Sequence, residues 1–271
     1  MTTSWLLRAC CAFLLTGLLA ACGTTEDGDS DASPSPDTSA TSSSPPTASA
    51  SPSTTPPPSG PPASRIRPVP ASQWRDMVAA GMVRPECPIQ RRGQLRRVDL
   101  NFVDFKGETR RGHLIVNADV ATSIRAIFDR LYARSFPIRR MKGVEAYDGD
   151  VARSLAADNT SAFNCRRSDQ INAPFADSPH ANGRAVDINP VENPWIDLRC
   201  KCWTPSARHA ERTPGPGKIL EKGLVWRLFD REGWIWQNID VPDYMHFDTG
   251  YPSRPFSRER PVASTATTSP R

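Results

Sequence analysis

The most regular alternation of apolar and polar positions lies at Val98-Asp99-Leu100-Asn101-Phe102, a period of two that predicts a half-buried strand. A turn at Gly107-Glu108 and a second apolar stretch, His113-Leu114-Ile115-Val116, extend this to a β-hairpin. Val120, Ile124, Ile127, Phe128 and Leu131 then recur at helical spacing, so an amphipathic helix is expected that ends before Pro137. Ala185-Val186-Asp187-Ile188 reads as a short strand stopped by Pro190. Leu220, Leu224 and Leu228 predict another helix, weakened by Gly223. Gly233-Trp234-Ile235-Trp236 and Met245-His246-Phe247-Asp248 read as two final strands. Strands that are partly adjacent and partly separated by helices imply an α+β fold, a small antiparallel sheet with packed helices in one globular domain.

Composition divides the chain before that domain begins. Residues 1–21 carry one basic residue, Arg8, then the apolar run Ala12 to Leu19 and small residues, as a secretion signal does. The run is too short to span a bilayer as a stable helix. Leu19-Ala20-Ala21-Cys22 resembles a bacterial lipobox, which implies lipidation of Cys22 and attachment to the extracytoplasmic face of the cell membrane. From residue 22 to 64 the chain is almost wholly Ser, Thr, Pro, Ala and Gly, a composition that cannot offset its ordering entropy and is expected to remain a disordered tether. One good-sized globular domain is expected over 65–251 and a polar tail over 252–271.

Charge and cysteines refine this picture. The tether holds Glu26, Asp27, Asp29, Asp31 and Asp37 and no basic residue, so the rest of a chain of net charge +5 is distinctly basic. Its arginines are scattered, which with export argues against nucleic acid as a partner; a monomer is expected. Cys10 and Cys11 would leave with the signal, and Cys87, Cys165, Cys200 and Cys202 suggest two disulfides. Cys200 and Cys202 stand close together, so each is expected to reach to Cys87 or Cys165. A cysteine zinc site is the competing reading, but Cys200-Lys201-Cys202 lacks the usual two-residue spacing.

The chemistry concentrates in two stretches, Ser178 to Pro190 and Asp243 to Asp248. Catalytic zinc takes three protein ligands and keeps one position open. His180, Asp187 and His246 are the candidate ligands in a chain with four histidines; His113 and His209 are assigned to structural roles. On a strand, His246 and Asp248 share one face while Met245 and Phe247 take the other. A further carboxylate that does not bind the metal is needed to move a proton. Asp243 is the first candidate, with Asp240 and Asp248 as rivals.

Ser178 to Asp187 resembles the Ser-x-His-x-x-Gly-x-Ala-x-Asp signature of the D-alanyl-D-alanine carboxypeptidase and L-alanyl-D-glutamate endopeptidase family of zinc peptidases. Asp243-Tyr244-Met245-His246 resembles that family's acid-x-x-His motif, and Asp158 to Arg166 resembles the segment that supplies its substrate-binding arginine. The resemblance implies Zn2+ on His180, Asp187 and His246, and Asp243 as general base and acid. It further implies Arg166 on a substrate carboxylate or oxyanion, Ser178 near the site or shaping its turn, and peptidoglycan stem peptides as substrate. An Asp in the second motif, where members that trim terminal D-alanine often carry Glu, leans toward an endopeptidase. A non-catalytic wall-binding lipoprotein that keeps the zinc is the alternative.

Overall fold

The computed structural model describes residues 60–170, 176–237 and 240–257, all within one compact unit. The expected signal segment 1–21, Cys22, the tether as far as residue 59 and the tail from residue 258 lie outside the described residues.

Strand β1, Arg65–Pro68, leads into helix α1, Ala71–Ala79. The predicted hairpin follows as β2, Leu95–Val103, and β3, Thr109–Asn117, each longer than the apolar alternation alone suggests. The sheet order is β1-β2-β3, antiparallel throughout, with Leu100 opposite Gly112 and Val98 opposite Leu114. Helix α2, Ala121–Ala133, lays Ile124, Ile127, Phe128 and Leu131 on the inner face of that sheet, against Val98, Leu100, Phe102, Leu114 and Val116. This is the main core, as the helical spacing predicts. At roughly 1.5–3 kcal/mol for each fully buried large aliphatic or aromatic side chain, it dominates the stability of the domain.

Three short elements follow: β4, Arg140–Met141; α3, Val151–Ala156, capped by the Asp150 side chain on the Arg153 amide; and β5, Asn159–Thr160, parallel to β4. Next come β6, Ala185–Asp187, the hairpin strands β7, Trp195–Asp197, and β8, Cys202–Thr204, and helix α4, Leu224–Arg231. Strands β9, Ile235–Trp236, and β10, His246–Asp248, complete the second sheet, ordered β6-β10-β9 and antiparallel. Leu220 lies outside the helix predicted from it. The Gly223 amide closes a turn onto the Leu220 carbonyl and Gly223 becomes the N-cap, so only Leu224 and Leu228 are helical.

The two sheets share one core. Phe247 of β10 stacks on Phe229 of α4 at 4.0 Å, and Phe229 meets Trp234 edge-on at 5.6 Å. The Trp234 indole donates to Ser123 of α2, which satisfies its N–H inside the core. The polar stretch expected to begin at residue 252 is held as far as Phe256, whose ring packs on the core and whose amide donates to Asp119.

The cysteine pairing differs from the expectation. Cys87 bonds Cys165, and Cys200 bonds Cys202. The intervening Lys201 takes a left-handed backbone conformation, φ 54°, which folds the chain back and brings the two Cα atoms to 5.1 Å. All four being oxidised, the cysteine zinc site is excluded as well.

Candidate metal centre

Strands β6 and β10 pair so that Asp187 stands directly opposite His246, and the cross-strand register alone puts a carboxylate beside an imidazole. His180 arrives from the preceding turn, where the Gly183 amide donates to the His180 carbonyl. Gly183 has φ +67°, and a Cβ there would stand 2.7 Å from the Asn117 amide nitrogen, so only glycine turns the chain this tightly against β3. Ser178 serves that turn, its hydroxyl accepting from the Ala181 amide.

The result is a buried cluster in which one donor atom from each of His180, Asp187 and His246 lies within 4.8 Å of the others. His180 Nε2 is 3.2 Å from Asp187 Oδ2 and 3.1 Å from His246 Nδ1, which is 3.2 Å from Asp187 Oδ1. The far side of each ring fixes its tautomer. His180 Nδ1 stands 2.7 Å from the Ala162 carbonyl, which can only accept, so this nitrogen carries the proton. His246 Nε2 stands 3.0 Å from Asp248 Oδ2 and donates likewise. In neutral rings the two remaining nitrogens are bare lone pairs, turned on each other and on a carboxylate. Such an arrangement is repulsive alone and fits a divalent cation held by all three.

The electrostatics agree. Burial disfavours charge on Asp187, but His180 and His246 hold its carboxyl well below the ordinary range. Burial likewise opposes a charged His246, but its bonds to Asp187 and Asp248 outweigh this and raise its proton affinity well above the usual histidine value. A cation binding here therefore displaces a proton.

The cluster opens into a cavity of about 450 Å3. Arg166, Ser178, Asp240 and Asp243 line it with the donors, Trp195 and Met245 form an apolar wall, and the exposed Leu198 and Tyr251 stand at its rim. Asp243 precedes β10 and bridges to Trp195 of β7. Its Oδ1 is buried with no hydrogen-bond partner. Burial, reinforced by Asp187 and Asp248 against the pull of His246 and Arg166, pushes its carboxyl up to about 7. Asp248, a rival for proton transfer, is committed to His246 and to the Gly250 amide. Asp240 is exposed in the same cavity. Arg166 is partly buried; burial lowers its proton affinity, opposed by the charges of Asp187 and Asp243.

The two remaining histidines stay outside the cluster. His113 Nε2 meets Gln73 at 2.9 Å and accepts from the Gly143 amide, and His209 lies in the 3-10 turn Ala207–His209. The hairpin of β7 and β8, which walls the cavity, is the part of the site that sequence pattern misses. Trp195-Ile196-Asp197 and Cys202-Trp203-Thr204 are each only three residues long, below the reach of a periodicity argument.

No curated protein and no solved structure matches the chain significantly. Residues 172–249, the stretch that contributes all three donors, match the family model described as D-alanyl-D-alanine carboxypeptidase, the family that the two motifs resemble.

Proposed function

We propose that the protein is a zinc-dependent peptidase that hydrolyses peptide bonds in peptidoglycan stem peptides, acting from a lipid anchor on the outer face of the membrane. The observation that carries this reading is the convergence of His180, Asp187 and His246 at the floor of a cavity that also holds Asp243 and Arg166. Two imidazoles and one carboxylate are a donor set suited to Zn2+. When bound, such an ion lowers the pKa of a water and polarises a peptide carbonyl.

The protein's own groups supply the rest. A carboxyl group pushed up to about 7 exchanges its proton near neutrality, which suits Asp243 to take a proton from the attacking water and return it to the leaving amine. Arg166, across the cavity, offers a guanidinium to a substrate carboxylate or to the oxyanion formed on attack. Asp248 and the Ala162 carbonyl hold the two imidazoles in the orientation that presents their free nitrogens. Asp rather than Glu at position 243 is more like the members of the resembled family that cut inside the stem peptide, which favours cleavage within the stem over removal of its terminal residue.

The test is digestion of purified peptidoglycan by the full domain, with mass spectrometry of the released muropeptides. The native protein should release fragments whose masses identify one bond. His246→Ala should lose both bound metal and hydrolysis, and Asp243→Asn should keep the metal while turnover falls about 100- to 10,000-fold. A native protein that retains metal but releases no fragment would instead be a wall-binding module. Unchanged turnover in Asp243→Asn would move the proton-transfer role to Asp240.

A further inference from the structure

The outer face of the first sheet concentrates arginines. Antiparallel register places Arg65 opposite Asp99, Arg67 opposite Arg97, and Asn101 opposite Arg111, so four arginines from three strands share one face. Leu95 and Ile115, further along that face, are covered by an apolar cluster that includes Met77 of α1. The middle of the face stays open as a hollow of about 440 Å3.

Like charges directly opposite each other across two strands are destabilising, and Arg67 faces Arg97 in that way. One carboxylate offsets them. Asp99 accepts from Arg67 Nε at 2.5 Å and from Arg97 Nε at 2.7 Å, and is thereby used up. Glu145, nearby, is engaged by Gln73 and His113. Among the described residues no carboxylate lies within ion-pairing distance of Arg65 or Arg111. Arg111 donates to neutral oxygens, Ala63 O and Asn101 Oδ1, each at 2.9 Å. The hollow therefore gathers more cation than the fold neutralises, at a cost to the sheet that packing does not explain.

We propose that this face is a docking surface for a flexible phosphodiester polymer, separate from the cavity that holds the metal cluster. The guanidinium groups of Arg65 and Arg111, on the strands either side of β2, offer forked donors to successive phosphates along one chain, which a single ammonium cannot do. The alternatives fit the face less well. It carries no Phe, Tyr or Trp on which a nucleobase could stack. It carries no exposed large apolar side chain to enter a bilayer; those of the described residues are Val78, Leu198 and Tyr251.

The probe is poly(glycerol phosphate) added to the full chain, with affinity measured over a range of salt concentrations. The double variant Arg65→Gln/Arg111→Gln, both exposed and outside the metal cavity, should bind about tenfold more weakly. The slope of log affinity against log salt should shrink by about 1.4, the release expected for two lost contacts. Melting temperature and metal content should match the native protein, and Arg65→Glu alone is the second probe should the double variant fold poorly. Unchanged affinity and slope in a folded variant would overturn the proposal. So would native binding to vesicles one-third anionic lipid that exceeds binding to the polymer at equal phosphate, which would assign the face to a membrane surface.

Discussion

At the scale of single residues, the domain sets two buried acids to opposite ends of the carboxylate range within one cluster. Asp187 keeps its charge because two imidazoles face it, while Asp243 keeps its proton because burial and two neighbouring carboxylates disfavour ionisation. Asp243 is thus held protonated in the folded chain up to about pH 7, whereas an unfolded chain releases that proton in the ordinary acid range. Its contribution to stability is full at acid pH and is lost as pH rises through about 7. Asp243→Asn should therefore melt higher than the native metal-free protein at pH 8, on the order of 5 °C, and the gap should close toward pH 4. Melting curves of the two proteins across that range check it. With metal bound, the ion's charge draws the Asp243 carboxyl down, so native turnover should rise with pH at a point below about 7, and the variant's residual rate should lack that limb.

At the scale of elements, the turn between His180 and β6 decides the site. Gly183→Ala adds a methyl group where the Asn117 amide already stands, at a positive φ. It should cost about 1–3 kcal/mol in denaturant unfolding and weaken metal binding, because the displaced turn carries His180. An unchanged metal affinity would show that His180 is placed by other contacts. The same elements show what sequence conveys. The β2–β3 hairpin and α2 were legible because each buries one face for several periods, and β6 and β10 because apolar residues alternate with the acids and imidazoles. Helix α1 was not, since it buries only Gln73 and Met77, and Gln73 is polar. The three donors were legible as residue types in spaced motifs, but the tautomers that aim them depend on the Ala162 carbonyl and Asp248, which tertiary packing brings to the rings. The cysteine pairing was illegible because a left-handed Lys201 does not announce itself in a three-residue stretch.

At the scale of the molecule, the two disulfides have unequal weight. Cys87–Cys165 closes a separation of 78 residues and fastens the segment after α1 to the chain just before Arg166. Loop-closure entropy gives such a bond about 4–5 kcal/mol, against about 1–2 kcal/mol for Cys200–Cys202, which spans two. Cys87→Ser/Cys165→Ser should lower unfolding free energy by the larger amount and Cys200→Ser/Cys202→Ser by no more than about 2 kcal/mol; equilibrium denaturation of each compares them directly.

Strand β10 lies in the middle of its sheet although it comes near the end of the chain. Until it slots between β6 and β9, His180 and Asp187 are one imidazole and one acid with no third partner. Ion capture is thus a test of completed assembly, and a nick that frees the last two dozen described residues would empty the site while leaving the hairpin and α2 still packed together.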